Sequence, residues 1–235
     1  WIFVKKKPFI SVFYEKKWPF PLIEIIKGIN YNGNFSDKKN LKIYGIESLN
    51  NAKENDITFL NSVKYKEMSI KTKASVCITT SNLLKFVSNK CIKIDVKNVL
   101  LAVTKISRMF YPTADVDIPE TDLKNSDEFN NYESVTFGSN ALIGKNVIIG
   151  RNSYVGNNSI IESNVRIGEN CIIGSFITIR NSLISNNVYI QDGCKIGIKG
   201  FGFIPEKNNN IRTPHIGKVI LDEGVEIGAN STIDR

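Results

Sequence analysis

Proton transfer near neutral pH needs a side chain that titrates there, and His215 is the only histidine in the chain. It stands in the stretch PHIGK, beside a proline and close to a glycine, and reads as a loop or surface residue. Nucleophilic or metal chemistry would draw on the four cysteines, Cys77, Cys91, Cys171 and Cys194. None forms a CxxC pair, and with one histidine there are too few soft ligands for a zinc site. Scattered through apolar runs, the cysteines read as small buried hydrophobes in a reducing compartment, so a cytoplasmic protein is expected. The remaining feature with chemical content is GFGF, in which Gly200 and Gly202 flank Phe201. Such glycines let backbone approach a ligand closely, and they also suit a tight turn. They do not follow a βαβ unit, which excludes a dinucleotide-binding fingerprint.

The formal net charge is +8, from Lys+Arg 31 against Asp+Glu 23. That excess suits an acidic partner or a phosphate-bearing substrate, and it is also what a Lys- and Asn-rich solvated surface produces. A hydrophobic content of 42% supports one large domain or two modest ones and excludes a disordered chain. The longest apolar runs are far too short to cross a bilayer. In residues 1–14 lysines precede a short apolar patch, but no small-residue cleavage site follows. No signal peptide is expected there, and the segment is left as an unassigned leader. The chain opens on Trp1 and its methionines are Met68 and Met109, so residue 1 need not be a natural start.

Two regions of different period must position these residues. Residues 15–112 read as mixed α/β, a small sheet covered by helices. Residues 21–28 have helical spacing and stop at Gly28, and 41–46 alternate like a strand. The runs 57–60, 75–79 and 91–95 are short and β-prone, and each is followed by helix-forming sequence. The clearest helix spans 98–110, with Val99, Val103, Ile106 and Phe110 on one face and Pro112 as its stop. Residues 113–133 are polar, acidic and poor in large aliphatics, and read as a linker.

From Val135 the period becomes six, over a region 134–235. The hexads run VTFGSN, ALIGKN, VIIGRN, SYVGNN, SIIESN, VRIGEN, CIIGSF and ITIRNS. Their third residues, from Phe137 through Ile143, Ile149, Val155, Ile161, Ile167 and Ile173 to Ile179, are all large and apolar. The fourth is usually glycine and the sixth usually asparagine, residue types that tolerate left-handed backbone at sharp corners. The pattern predicts triangular coils whose stacking buries an apolar column that no single coil could bury alone. The repeat slips by one residue at SLISNN, breaks for an excursion over 197–218, and returns as VILDEG and VEIGAN. It stops mid-hexad at STIDR with no cap, from which a continuation past Arg235 is expected.

Apolar, glycine and small residues at period six resemble the hexapeptide-repeat acyltransferase superfamily, and the left-handed sense of the coil is implied by that resemblance. The expected fold is therefore mixed: a small α/β N-terminal domain followed by a left-handed parallel β-helix of hexapeptide repeats. TFLNSVKY at 58–65, GFGF at 200–203 and PHIGKVILDEGVEIGANSTIDR at 214–235 occur in an order that narrows the likeness. Together they resemble the UDP-3-O-acylglucosamine N-acyltransferase family of lipid A synthesis, over roughly residues 18–235.

The resemblance implies that Phe59 and Tyr65, six residues apart, sandwich a uracil ring, as flat bases favour stacking between aromatic faces. Read without it, Phe59 is a core strand residue and Tyr65 packs at a helix start. The family often has an asparagine three residues after the phenylalanine, where this chain has Ser62, with Asn61 one place earlier. Gly200, Phe201 and Gly202 match a loop beside the acyl-transfer site between subunits. The family's base is a histidine farther along the β-helix, past the STIDR match, so no catalytic residue is assigned in this chain and His215 is not given that role.

The implied reaction moves a 3-hydroxyacyl group from acyl carrier protein to the 2-amine of UDP-3-O-acylglucosamine. Histidine takes the amine proton and a backbone N–H stabilises the oxyanion. No metal or redox cofactor is implied, a homotrimer is, and no nucleic acid partner is expected. Two rivals follow from the same residues: another hexapeptide-repeat acyltransferase without the Phe59/Tyr65 requirement, and a non-catalytic UDP-sugar-binding β-helix if the native chain ends at Arg235. A trimeric zinc enzyme on the same coil is disfavoured by the single histidine.

Overall fold

The computed structural model describes residues 13–31, 40–129, 132, 134–206 and 209–235, so most of the leader 1–14 lies outside the described residues. The chain divides into two compact units. One comprises Glu15–Asp115 with Gly202–Pro214, the other Val116–Phe201 with His215–Arg235 and Tyr14.

The first unit opens with β1 (Phe20–Pro21), α1 (Leu22–Gly28) and β2 (Lys42–Ile43). It continues with β3 (Gly45–Ile46), β4 (Asp56–Phe59), α2 (Lys66–Lys71), β5 (Val76–Thr79), β6 (Ile92–Asp95) and α3 (Val99–Phe110). Strands β3 to β6 form a parallel sheet in sequence order. Its central strand β5 is buried on both faces, which is why VCIT is apolar or β-branched throughout rather than alternating. Helix α3 starts at Asn98, whose Oδ1 accepts the Leu101 N–H at 3.0 Å. It packs on β3, β5 and α1 through Val99, Ala102, Ile106 and Phe110. Val103, expected on that face, is only half buried, because the buried stripe is centred on Ala102 and Ile106. A second apolar cluster holds Leu49, Leu60, Val87, Cys77 and Cys91.

One expectation changes here. The run 41–46, read as one strand, is split at Tyr44 between two ladders. β2 pairs antiparallel with β1 while β3 joins the parallel sheet. The Tyr44 N–H donates to Asn55 O at 2.9 Å, which redirects the chain between the two.

The second unit is a left-handed parallel β-helix with one short strand on each of three faces per coil. Strands stack 18 residues apart, as Asn140 Nδ2 and Asn158 Oδ1 do at 3.2 Å. Across the slip at SLISNN the interval falls to 17, seen where Glu169 N–H meets Asn186 Oδ1. The column from Ile143 to Ile227 is buried, with Ala141, Val147, Val165, Cys171, Val188 and Cys194 beside it. After the excursion, Val219–Leu221 stacks on Ser182–Ile184, so the coil resumes where it was left. Part of the excursion, within the first unit, is an antiparallel hairpin of Phe203–Pro205 and Asn210–Arg212.

The corner residues divide their work in a way the pattern did not foretell. The asparagines carry the left-handed backbone, with φ of 59° at Asn140, 55° at Asn158 and 55° at Asn170. The fourth-position glycines from Gly138 to Gly174 do not, and are needed for stacking instead. A Cβ on Gly156 would come within 2.5 Å of the backbone carbonyl carbon of Gly174 in the next coil.

Of the segment 113–133, expected as a linker, Val116–Phe129 lies along the β-helix. Glu120 accepts from Ser163 Oγ at 2.8 Å, Asp122 pairs with Lys145, and β7 (Lys124–Asn125) runs antiparallel to Leu142–Ile143. Phe129 and Tyr132 then pack on the apolar column beside Phe137, with Tyr132 Oη donating to Val147 O at 2.9 Å.

Candidate functional site

Phe59 ends β4, half buried, where the sheet hands the chain to helix. The strand end is held by Thr79 Oγ1 donating to Leu60 O at 2.7 Å and by the Leu60 N–H donating to Ile78 O at 2.8 Å. Ser62 caps the short 3-10 helix Val63–Tyr65, its Oγ accepting the Lys64 N–H at 3.3 Å. The hydroxyl keeps its own hydrogen for a further acceptor. Tyr65 closes that turn with 46% of its surface exposed. Thus Phe59, Ser62 and Tyr65 share one strand-to-helix connection, and the aromatic at its far end faces water rather than core. A cleft of about 420 Å³ borders the following helix α2, with Lys53, Lys71 and Lys73 in its lining to favour an anionic group.

Gly200 and Phe201 belong to the second unit, while Gly202 opens the hairpin segment assigned to the first. Gly200 is buried and its N–H donates to His215 Nδ1 at 3.2 Å. The close approach requires glycine, as a Cβ would lie 2.7 Å from the imidazole Cε1. Phe201, next in the chain, is 94% exposed. Burial and then the nearby Lys199 charge push the His215 pKa below its usual value, which favours the neutral ring that can accept at Nδ1. His215 is therefore a half-exposed loop residue, as expected, that also partners the turn.

Beneath this turn lies a charged cluster. Arg235 grips Asp117 with two hydrogen bonds, Nη1 to Oδ2 at 2.9 Å and Nη2 to Oδ1 at 2.6 Å. Asp117 also accepts the Lys199 N–H at 2.8 Å and faces Arg180 at 3.4 Å. Arg180 in turn bonds Glu162. Burial works against the Asp117 carboxylate, but the bonds from Arg235 and Lys199 and the Arg180 charge outweigh it, so its pKa lies below the usual value. Glu162 is pushed up to about 7 by burial, against Arg180, with the Glu120 and Asp117 carboxylates adding to the rise. Sequence reasoning missed this cluster, though it left a signal. Within the eight regular hexads, Glu162 and Arg180 occupy positions that are otherwise glycine, one coil apart.

Comparison with known proteins bears on both units. Residues 40–109, within the sheet unit, match the family described as UDP-3-O-(3-hydroxymyristoyl) glucosamine N-acyltransferase, LpxD. Residues 146–181 match the bacterial transferase hexapeptide repeat. The chain is 40% identical to UDP-3-O-acylglucosamine N-acyltransferase of Rickettsia prowazekii, over 84% of this chain and 58% of that protein. It is 37% identical to the Rickettsia rickettsii protein of the same name, covering 96% and 66%. A Legionella pneumophila relative, UDP-3-O-acylglucosamine N-acyltransferase 2, is 34% identical over 95% of this chain and 65% of its own length. The chain thus spans about three fifths of the length of the relatives it matches. With a family match on the unit carrying Phe59 and Tyr65, a hexapeptide match on the coils, and identity running through both, this chain belongs to the UDP-3-O-acylglucosamine N-acyltransferase family.

Proposed function

We propose that this chain is the nucleotide-sugar-binding and turn-bearing part of an N-acyltransferase of lipid A synthesis. The enzyme moves a 3-hydroxyacyl group from acyl carrier protein to the 2-amine of UDP-3-O-acylglucosamine. The observation that carries this reading is the position of Phe59 and Tyr65 on one connection of the unit that matches the family, in a chain whose other unit is a hexapeptide β-helix. Phe59 and Tyr65 stack on the two faces of the uracil, and the Ser62 hydroxyl hydrogen meets a base carbonyl. Gly200, Phe201 and Gly202 lie against the reacting end of the substrate, where missing side chains let backbone come close.

His215 is not the general base, because its Nδ1 already holds the Gly200 N–H. That role is assigned to a histidine in the further length that the relatives have and residues 1–235 do not span. The acyl donor is strongly acidic, and a chain of net charge +8 suits electrostatic docking with it. The assembly we assign is a homotrimer. Exposed Tyr154, Ile172 and Tyr189, stacked in one column of an outer face, suit contact between copies. Four free, buried thiols fit a cytoplasmic location, and no helix among the described residues is long and apolar enough to cross a membrane.

The test is steady-state acyl transfer by the whole protein, with Phe59→Ala and Tyr65→Ala beside it. Each variant is expected to raise KM for the UDP sugar by roughly ten- to a hundredfold, given about 1–3 kcal/mol per stacked base. UDP binding without any acyl transfer by the whole protein would point instead to the non-catalytic β-helix. Transfer that is indifferent to both substitutions would point to a different acceptor.

A further inference from the structure

We propose that Arg235 is a positioning residue that sets the conformation of the turn at Gly200 and Phe201 by fastening both of its roots. The proposal rests on the reading above, in which that turn faces the substrate.

The excursion leaves the β-helix after the strand Lys195–Ile198 and comes back at His215. Arg235 touches both places. Its Nη1 donates to Gly197 O at 2.9 Å on the outgoing side, and its Nε donates to His215 O at 3.2 Å on the returning side. The rest of the fork goes to Asp117, which in turn accepts the Lys199 N–H, one residue before Gly200. His215 completes the ring of contacts by accepting the Gly200 N–H. Tyr14 lies over the guanidinium at 5.6 Å and donates from its Oη to Gly217 O at 2.9 Å.

One side chain, 1% exposed, therefore determines the distance between the two strands of chain that carry the turn. Water cannot replace its donors at that depth. Lysine cannot either, because a single ammonium does not present a planar fork to a carboxylate while reaching two carbonyls. The coil beneath has its own support. Thr232–Asp234 pairs with Lys195–Ile198, and the Arg235 N–H donates to Ile198 O at 3.1 Å, bonds that survive a change of side chain. Loss of the guanidinium should loosen the turn and leave the β-helix standing. A reacting group displaced by about 1 Å can cost on the order of a hundredfold in rate, so the turn's placement is a kinetic quantity.

The experiment compares the whole wild-type protein with Arg235→Lys and Asp117→Asn. Two readouts are used: acyl-transfer kinetics, and the fluorine NMR linewidth of a fluorinated phenylalanine placed at position 201. Both variants should lower kcat at least about tenfold and change KM for the UDP sugar less than about threefold. Both should also alter the Phe201 signal, and the double variant should be no worse than either single one, because the two residues act as one unit. If Arg235→Lys fails to fold, Asp117→Asn carries the same test. A melting temperature that falls while kcat and the Phe201 signal stay put would reduce Arg235 to a structural residue and overturn the proposal. If the wild-type protein transfers no acyl group, the functional reading fails, and the Phe201 signal still decides whether Arg235 orders the turn.

Discussion

Glu162 stands where the repeat calls for glycine, and its carboxyl pairs with Arg180 within reach of the Glu120 and Asp117 carboxylates. Its side chain is mostly buried, so the charged form loses more solvation than Arg180 restores, and its pKa rises from 4.5 to about 7. An acid whose pKa is raised by folding is held most favourably when protonated. Its contribution to stability is greatest below pH 4.5 and declines as pH rises through 7. Glu162→Gln keeps an acceptor for Arg180 and carries no charge. Its melting temperature relative to wild type should therefore rise between pH 5 and pH 8. A difference that stays flat over that range would mean that the Arg180 pair outweighs burial, because a carboxyl held below 4.5 is ionised in both states there. At the same scale, the sequence could nominate Phe59 and Tyr65 but could not say whether either ring meets solvent. Partial burial at the end of β4 and exposure at the close of a 3-10 turn depend on where the parallel sheet stops.

At the scale of the coil, two residue types hold each corner for separate reasons. Asparagine meets a left-handed backbone and adds a side-chain ladder, as between Asn152 and Asn170 at 3.3 Å. Glycine permits the next coil to stack. Asn158→Ala should cost about 1–2 kcal/mol, for a left-handed residue with a Cβ and one lost bond, while Asn158→Gly should cost less. Gly156→Ala places a methyl 2.5 Å from the backbone of the next coil, and backbone cannot move aside as a side chain can. It should destabilise more than Asn158→Ala, by about 3 kcal/mol or more. Chemical denaturation of the three variants checks the ranking, and an Asn158→Ala cost above that of Gly156→Ala would reverse the assignment. Glycine and asparagine look interchangeable as turn formers in a sequence. The distinction arises only when one coil is laid on another.

For the whole molecule, stability is distributed over two cores of different character, a continuous apolar column in the β-helix and a helix-covered parallel sheet. In the coils, amides such as Gly156 N–H to Ile173 O at 2.8 Å and Glu162 N–H to Ile179 O at 2.9 Å are flanked by coils on both sides. The hairpin Phe203–Pro205 with Asn210–Arg212 has only two strands. Hydrogen exchange should be slower in those coil amides by a factor on the order of a hundred or more than in the hairpin. Equal rates would indicate that the hairpin is held by contacts stronger than its own ladder.

Local regularity made much of this legible in advance. Six-residue periodicity determines the apolar column and the corners, because the same short pattern is satisfied again at every coil. The apolar setting of all four cysteines likewise announces their burial. Helix α3 is written in most of its apolar stripe and its proline stop, while its Asn98 cap reads in the sequence as part of the helix. Only the tertiary structure decided which ladder each half of 41–46 joins, that Val116–Phe129 runs along the coils, and that His215 serves Gly200. It alone brought Asp117 to Arg235 across 118 residues of chain. Such contacts depend on which distant segment reaches a given corner of the stack. No periodicity encodes that choice, since it is made by the mutual fit of charge and backbone after the coils have formed.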